Sequence, residues 1–182
     1  MNEDPGAMRP IWLLLATVVL ALLGPALAAP PADAQLPRLE RLKADLVVVY
    51  KGKRQLQLRR EGEILKTYRI ALGSAPRGPK RKEGDGRTPE GVYTLDWRNE
   101  NSNFYRSIHV SYPHPRDLDH SGRWGVSAGG LIMLHGLPNG LHPAQLGHPW
   151  SDWTNGCIAL TNEEMDEIWA KVDDGTPIII YP

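Results

Sequence analysis

The sequence predicts a mainly β domain with one α-helix close to the C-terminus. Short apolar or alternating segments recur along the chain and are separated by stretches rich in glycine and proline, which is typical of sheet proteins. Apolar residues at helical spacing are clear in one place, over residues 161–172. No segment repeats at a fixed period, and about 150 residues of such sequence fit one domain with a sizeable core.

The first 28 residues have the features of a secretory signal peptide. An apolar run, Ile11 to Leu23, follows Arg9, and Ala26-Leu27-Ala28 then forms a cleavage pattern. The run is shorter than the roughly 20 residues that a membrane-spanning helix needs. We therefore predict export and no stable membrane insertion after signal cleavage. Residues 29–43 are predicted to be a linker, with a weak helix signal over Leu36 to Lys43.

Strands are predicted from residue 45 onward. The buried run DLVVVY and the alternating segment RQLQLRR are joined through YKGKR, whose glycine predicts a hairpin. EILKTYRIAL is predicted as a third strand, with Ile64, Tyr68 and Ile70 as its apolar positions. GVYTLDW, YRSIHVSY and LIMLH follow as later strands, and IIIYP closes the chain.

One helix is well signalled, in the segment TNEEMDEIWAKV. Thr161 and Glu164 have the spacing of a capping box, and acidic residues fill the first turn. The glycine of DDGT ends this helix, and Pro177 prevents its continuation. The apolar positions that we expect to face the sheet are Met165, Ile168, Trp169 and Val172.

Three long segments have no regular pattern: residues 73–91, 113–130 and 136–156. Irregular connections of this length are uncommon in compact domains. Long loops on a rigid sheet commonly carry function, so we expect the functional residues to lie on or beside these segments.

The charge balance argues against nucleic acid as a partner. The full chain has 21 basic and 21 acidic residues, and residues 1–28 contain Arg9, Glu3 and Asp4, which leaves 20 basic and 19 acidic residues after cleavage. A nearly neutral domain offers neither an electrostatic footprint for nucleic acid nor a polybasic contact for a membrane.

Cys157 is the only cysteine, and it lies in DWTNGCIAL between a glycine and an apolar run. An exported chain with one cysteine cannot form an internal disulfide, so Cys157 is a buried apolar filler, an intermolecular linker or a reactive thiol. A reactive thiol needs a base and oxyanion donors, and the backbone N–H groups at the Gly156-Cys157 turn can supply the donors.

The base has to come from one of six histidines. His135 is favoured because it ends the apolar strand LIMLH and is followed by a glycine, so that a rigid element would hold its ring. Spacing alone leaves a purely structural role for His135 open. His142 and His148 are interpreted as surface or substrate-side residues of the loop.

These ordered motifs resemble the L,D-transpeptidase catalytic domain of the YkuD type. A strand ending in His-Gly, a loop, TNGCI, a helix and a terminal GTPIII strand follow the family pattern, and ALGSAPRGPKRKEGDGRTPEGVY is similar to its upstream segment. The resemblance covers residues 44–182, which we predict to be the catalytic domain, and looks closest to a periplasmic subgroup. It implies a YkuD-like mixed β-sheet sandwich.

The resemblance also implies cysteine-dependent acyl transfer on peptidoglycan stem peptides, with no cofactor and no metal. Cys157 would attack the carbonyl of the third residue and release D-alanine, and the thioester would pass to an amine. His135 would be the general base, oriented by the carbonyl of Gly136, and the thiol is expected to have a low pKa. The residues that would line the oxyanion side are Thr154, Asn155 and Gly156.

Three departures from the family pattern leave the acceptor open. Asn155 stands where many members have histidine or lysine, and Ala159 stands where many have arginine or asparagine. The segment between His135 and Cys157 is also longer than in many members. A hydrolase that uses the same Cys-His pair and passes the acyl group to water is therefore the main alternative.

Two further alternatives use other chemistry. A metal site would recruit His135, His142, His148 and Cys157, but their spacing matches no standard zinc pattern. A non-catalytic wall-binding module would use exposed tryptophans for contact and keep the thiol as filler, although tryptophans more often anchor cores and loops. The tryptophans in question are Trp97, Trp124, Trp150 and Trp153.

The basic stretch PRGPKRKEGDGR, residues 76–87, has two interpretations. It could contact acidic wall peptides, or it could be a solvated loop with turns at Asp85 to Gly91. Because charged runs are usually solvated, we favour the loop.

Overall fold

The computed structural model describes Met1 and residues 42–182, which form a mainly β domain as predicted. Eight strands belong to one mixed sheet, in the order β3-β2-β1-β8-β4-β5-β6-β7. The strands are β1 (Leu46–Tyr50), β2 (Gln55–Arg60), β3 (Glu63–Arg69), β4 (Gly91–Ser102), β5 (Tyr105–Val110), β6 (Met133–His135), β7 (Ile158–Ala159) and β8 (Thr176–Tyr181). The helices are α1 (Pro115–Gly122) and α2 (Asn162–Lys171).

The two edges of the sheet are joined by the chain that follows β3. Ala71 pairs with Ala159 of β7, and Gly73 pairs with Thr154. These bridges curl the sheet around one apolar cluster, to which strands from both halves and α2 contribute. The layers of the predicted sandwich are thus parts of one continuous hydrogen-bonded sheet. Its pairs are antiparallel except β1 with β8 and β6 with β7.

The β2–β3 pair contains an irregularity that the sequence pattern does not reveal. Leu58 pairs with Lys66 and Arg59 pairs with Ile64, which leaves Leu65 as an extra residue on β3. The bulge turns Ile64 outward, where it is 51% exposed, and lets Leu65 pack against the core. Of the three apolar positions that mark this segment in the sequence, Ile64 therefore faces outward, whereas Tyr68 and Ile70 are buried.

The predicted C-terminal helix is α2. The side chain of Thr161 accepts a hydrogen bond from the Glu164 N–H, and Glu164 accepts one in return from the Thr161 N–H, which completes the capping box. Of the four apolar positions, three are buried and Trp169 is partly buried against the core.

The helix α1 was not predicted and lies in the segment 113–130 that was interpreted as irregular. Its sequence, PRDLDHSG, has no apolar stripe, and Leu118 is 51% exposed. What forms it is local: His114 and Asp117 make a reciprocal cap, and a proline occupies the first turn.

The predicted signal peptide, the linker and the helix over Leu36 to Lys43 fall outside the described residues, apart from Met1 and residues 42–43. Within the described part of the chain, no helix is long and apolar enough to cross a membrane.

Candidate active site

The register of β6 and β7 places Cys157 and His135 on one face of the sheet. Leu134 pairs with Ile158 in parallel, so the residues just before them, Met133 and Cys157, lie side by side. Alternate residues of a strand share a face, which puts His135 on the same side as Met133 and Cys157. Leu134 and Ile158 point the other way, into the core.

Both side chains open into one cavity of about 450 Å³. Among the described residues that line it, none is an aspartate, glutamate, lysine or arginine. A charge that forms at Cys157 or His135 therefore has no ionised side chain among these lining residues to pair with. The lining residues are Ser102, Phe104, Ser107, Leu131, Met133, His135, Pro138, Trp153, Thr154, Asn155 and Cys157.

His135 is held in one tautomer by the residue after it. Its Nδ1 lies 2.6 Å from the carbonyl oxygen of Gly136, and because a carbonyl only accepts, Nδ1 carries the proton and Nε2 is left as the acceptor. Burial lowers the pKa of His135 to about 4, and the Gly136 carbonyl offsets this only in part. The imidazole is therefore neutral at pH 7 and able to take a proton.

Gly136 has no room for a side chain. A Cβ there would lie 2.7 Å from Oδ1 of Asn162 and 3.0 Å from Cβ of Tyr105. The same Asn162 oxygen accepts the Leu137 N–H at 2.9 Å, so the first residue of α2 fixes the turn that follows β6.

The Cys157 thiol is protonated in the resting site. Its Sγ accepts the Met133 N–H at 3.4 Å and lies 3.6 Å from the carbonyl oxygen of Leu131. Burial raises the pKa of Cys157, although the Met133 N–H and the charge of Lys80 act in the opposite direction. This differs from the low pKa expected from the sequence, because the neighbouring His135 is neutral and supplies no cation.

The turn before Cys157 is fixed by Thr154 and Gly156. The Thr154 hydroxyl donates to the Cys157 carbonyl at 2.8 Å and accepts the Gly156 N–H at 3.1 Å. Gly156 has φ +130°, and a Cβ there would lie 2.7 Å from the Arg87 carbonyl oxygen, so only glycine fits. Thr154 and Asn155 line the cavity, whereas Gly156 is buried and its N–H is engaged.

Loop 73–91 is hydrogen-bonded to the turn that precedes Cys157. The Ser74 N–H donates to the Thr154 carbonyl at 2.9 Å, and the Gly73 N–H donates to the Thr88 hydroxyl at 3.1 Å. Asp152 adds a second attachment, since its carboxylate accepts the Leu72 N–H at 3.0 Å and pairs with a guanidinium, that of Arg54, at 2.6 Å.

The basic stretch in loop 73–91 is not simply solvated. Arg81 and Lys82 are exposed as expected, but Lys80 is 7% exposed and pairs with Asp85 at 2.9 Å. Burial alone would raise the pKa of Asp85, but hydrogen bonds from the backbone N–H groups of Arg81, Arg87 and Lys82 and from Lys80 lower it overall. Asp85 is thus the centre that organises the loop.

The other candidate residues are scattered. His142 is exposed and caps a short 3-10 helix, Pro143–Leu146. His148, interpreted from the sequence as a surface or substrate-side residue, is instead 5% exposed, and no local pattern marks its burial. Its Nδ1 accepts the Trp153 indole N–H at 3.4 Å. Within the described residues no group of three or more His, Cys, Asp or Glu could hold a metal ion.

The tryptophans also differ from one another. Trp153 lines the cavity, and Trp97 stacks on His109 with ring centroids 4.9 Å apart. Trp124 and Trp150 are 74% and 77% exposed. Of these four tryptophans, Trp153 alone lines the cavity at the thiol.

Comparison with known families decides what this arrangement is related to. The family model of the L,D-transpeptidase catalytic domain, YkuD, matches residues 44–180. The chain belongs to the YkuD family. Among curated proteins, it is 27% identical over 195 aligned residues to "Putative L,D-transpeptidase YafK" of Escherichia coli K12, covering 96% of this chain and 71% of YafK.

Solved structures share the fold of this YkuD domain. The helical cell shape determining protein Pgp2 from Campylobacter jejuni is 22% identical with a TM-score of 0.56, and the match covers 81% of this chain. This chain spans about half of the Pgp2 chain, 54%. An L,D-transpeptidase from Xylanimonas cellulosilytica is 16% identical with a TM-score of 0.50, and the match covers 84% of this chain and 70% of that one.

Two positions where this YkuD domain departs from many members lie in different environments. Asn155 is exposed at the rim of the cavity. Ala159 is fully buried, opposite His135 in the sheet and bridged to Ala71. Its Cβ lies on the same face of the sheet as Cys157 and His135, but the alanine side chain is too short to line the cavity.

Proposed function

We propose that this YkuD domain is an L,D-transpeptidase in which Cys157 is the nucleophile and His135 the general base. The observation that carries the proposal is the parallel register of β6 and β7, which puts the thiol and the imidazole on one face, at one cavity. The acyl donor is the stem peptide of peptidoglycan.

The first half-reaction forms a thioester. Nε2 of His135 takes the thiol proton, and the thiolate attacks the carbonyl carbon of the third residue of the stem. The oxyanion accepts hydrogen bonds from backbone N–H groups at the turn, for which we assign Asn155 and Cys157, because the Gly156 N–H already donates to Thr154. The bond to D-alanine then breaks, and His135 returns the proton to the leaving amine.

The second half-reaction regenerates the thiol. An acceptor amine attacks the thioester carbonyl and gives a proton to His135, the new amide forms, and the departing thiolate recovers that proton. Charge separates only during these steps, because burial keeps both the thiol and the imidazole neutral at rest. The Gly136 carbonyl, 2.6 Å from Nδ1, stabilises the imidazolium that forms.

The family and the names of the relatives support the activity. The matching family model is that of the L,D-transpeptidase catalytic domain, YafK carries the name "Putative L,D-transpeptidase", and Pgp2 is named for determining helical cell shape. We infer that this protein acts on the cell wall after export to the periplasm, with residues 1–28 as the signal peptide and residues 44–182 as the catalytic domain.

The test is intact mass spectrometry of the purified protein with a disaccharide tetrapeptide. We expect a single adduct of the donor minus D-alanine on Cys157, and an amide product when diaminopimelate or a D-amino acid is added. The Cys157→Ser variant should bind no acyl group as a thioester while keeping its circular dichroism spectrum. A folded Cys157→Ala variant with normal turnover contradicts the mechanism, and a tripeptide product that amines never divert identifies a hydrolase instead.

A further inference from the structure

The imidazole of His135 is enclosed by two aromatic side chains. Its ring centroid lies 4.6 Å from that of Phe104 and 5.7 Å from that of Trp153. The hydrogen bond to Gly136 ties Nδ1 at one corner of the ring, whereas the direction of Nε2 also depends on the plane of the ring. The aromatic contacts set that plane.

Trp153 is itself held at its polar end. Its indole N–H donates to Nδ1 of His148 at 3.4 Å, and the two rings meet edge to face with centroids 6.3 Å apart. On the other side, Trp153 stacks on Phe104 at 6.3 Å with an angle of 22°. The indole therefore bridges a buried histidine and the wall of the cavity.

His148 is fixed as an acceptor for this bond. It is 5% exposed, and its backbone N–H donates to the Pro143 carbonyl at 3.0 Å. Because Nδ1 accepts, the proton is on Nε2, and within the described residues Nε2 has no hydrogen-bond partner. Burial lowers the pKa of His148, which keeps the ring neutral. In the described part of the chain, the one hydrogen bond of the His148 ring is thus the bond from Trp153.

We propose that His148 is a positioning residue, which holds Trp153 against His135 and so aims Nε2 of His135 at the Cys157 thiol. This rests on the proposed function of Cys157 and His135. Burying a polar ring costs free energy unless the ring makes hydrogen bonds, and an apolar side chain of similar size would fill the same site without that cost. The hydrogen bond to Trp153 is therefore the reason that we assign to a histidine at this position.

The test compares His148→Phe, which keeps an aromatic ring but removes the acceptor, with His148→Asn, whose Oδ1 can replace Nδ1. We expect His148→Phe to lower the kcat of D-alanine release roughly 10-fold with KM changed by less than about twofold, because the substrate still binds while the base is misaimed. His148→Asn should recover most of the rate. Trp153→Phe should lose as much as His148→Phe, and the double variant should lose no more than either.

Trp150→Phe is the matched control for Trp153→Phe. Trp150 lies three residues before Trp153 and is 77% exposed, so its replacement should leave the rate of D-alanine release unchanged. Nuclear magnetic resonance gives a readout that does not need turnover: in His148→Phe the Trp153 indole and His135 ring signals should shift, while the Trp150 indole signal stays.

Unchanged His135 signals and an unchanged rate in His148→Phe would overturn the proposal, as would equal losses in His148→Asn and His148→Phe. If His148→Phe does not fold, Trp153→Phe decides, and a normal rate there also overturns it. If wild-type protein fails to form the thioester, the proposed function is wrong, and the His135 signals alone then decide whether His148 positions the ring.

Discussion

Two cavities of this domain use charge in opposite ways. The one at Cys157 is lined by apolar and neutral polar side chains. The other, of about 430 Å³, lies at the end of β1 and includes Lys51, Arg54, Arg77 and Glu90 in its wall. There the ammonium of Lys51 donates to the carbonyls of Gly78 and Thr88 at 2.7 Å and pairs with Glu90 at 2.9 Å.

The charged cavity has a structural role, whereas the uncharged cavity contains the groups that we propose to react. Paired charges in the second cavity fasten loop 73–91 to the sheet, while the reacting groups stay neutral until the attack. The two regions meet in Thr88 and Arg87: the Thr88 carbonyl binds Lys51, its hydroxyl binds the Gly73 N–H, and the Arg87 carbonyl packs on Gly156. The charged region is therefore a support for the nucleophile turn.

Lys51→Met is expected to have the largest effect, and the effect should fall on stability. Lys51 is 2% exposed, and removing its ammonium leaves the buried Thr88 carbonyl, the partly buried Gly78 carbonyl and the partly buried Glu90 carboxylate without their donor. Removing one partner of a buried ion pair lowers the free energy of unfolding by about 4 kcal/mol, which urea denaturation will measure. Lys53→Met, at an exposed lysine two residues on, should change it by less than about 0.5 kcal/mol.

Lys51→Met also tests whether the charged cavity affects the reaction at Cys157. In the folded fraction of Lys51→Met, thioester formation on Cys157 should keep its wild-type rate within about threefold, since no lining residue of the reactive cavity has changed. A Lys51→Met protein as stable as wild type would show that the Lys51 contacts do not stabilise the domain, and one that is folded but unreactive would show that they also serve the reaction.

His135→Gln is the counterpart, with its effect on reaction. Loss of the general base should slow thioester formation by about 10²-fold or more, near 3 kcal/mol of transition-state free energy. Rapid-quench mass spectrometry of the adduct measures this rate. His142→Gln is the control at an exposed histidine of the neighbouring loop, and it should react like wild type. An inactive His142→Gln with an active His135→Gln would reassign the base.

The pH dependence of stability tests whether His135 is buried and neutral in the folded protein. Burial lowers the pKa of His135 from 6.5 to about 4, so between those values the unfolded chain binds a proton that the folded chain does not. The contribution of His135 to the free energy of unfolding should therefore be fully present above pH 6.5, and it should fall by at most about 3 kcal/mol as the pH drops to 4. His148 acts in the same direction, so the difference between wild type and His135→Gln isolates the His135 contribution. Parallel curves would show that His135 is not titrating in this way.

The parts of the molecule that local patterns encode were predictable from the sequence. The β1–β2 hairpin and α2 follow from residues that are near neighbours along the chain, and the capping box of Thr161 fixes where α2 begins. Cys157 and His135 each adjoin a glycine at one end of an apolar segment, which made them candidates, and the resemblance of the ordered motifs to the YkuD family led to the proposed pair.

The parts that depend on distant contacts were not predictable. Lys51 and Glu90 are 39 residues apart, and no local pattern in the sequence marks Lys51 as buried. The same holds for His148, whose burial depends on packing against Trp153, and for the bulge at Leu65, which exists only relative to β2. The helix α1 escaped prediction because caps alone, without an apolar stripe, form it.

Thr154→Val should have the smallest effect, and it should lower both the stability of the domain and the rate of thioester formation. Thr154 is 4% exposed, and valine has nearly its shape but lacks the hydroxyl, so the buried Gly156 N–H and Cys157 carbonyl each lose a partner. We expect the free energy of unfolding to fall by about 2 kcal/mol. Thioester formation should slow roughly tenfold, because the turn that presents Cys157 is less firmly held.

Two further variants decide whether the hydroxyl is the cause. Thr154→Ser keeps the oxygen and should recover most of the lost stability and rate, while Thr67→Val, at an exposed threonine of β3, should change neither. Urea denaturation and adduct mass spectrometry on the four proteins give both quantities together. If Thr154→Val loses stability but reacts at the wild-type rate, the Thr154 hydroxyl only stabilises the turn, and residues 154–156 belong with the structural region. If Thr154→Val loses rate but not stability, the hydroxyl contributes to the chemistry that we assign to Cys157 and His135.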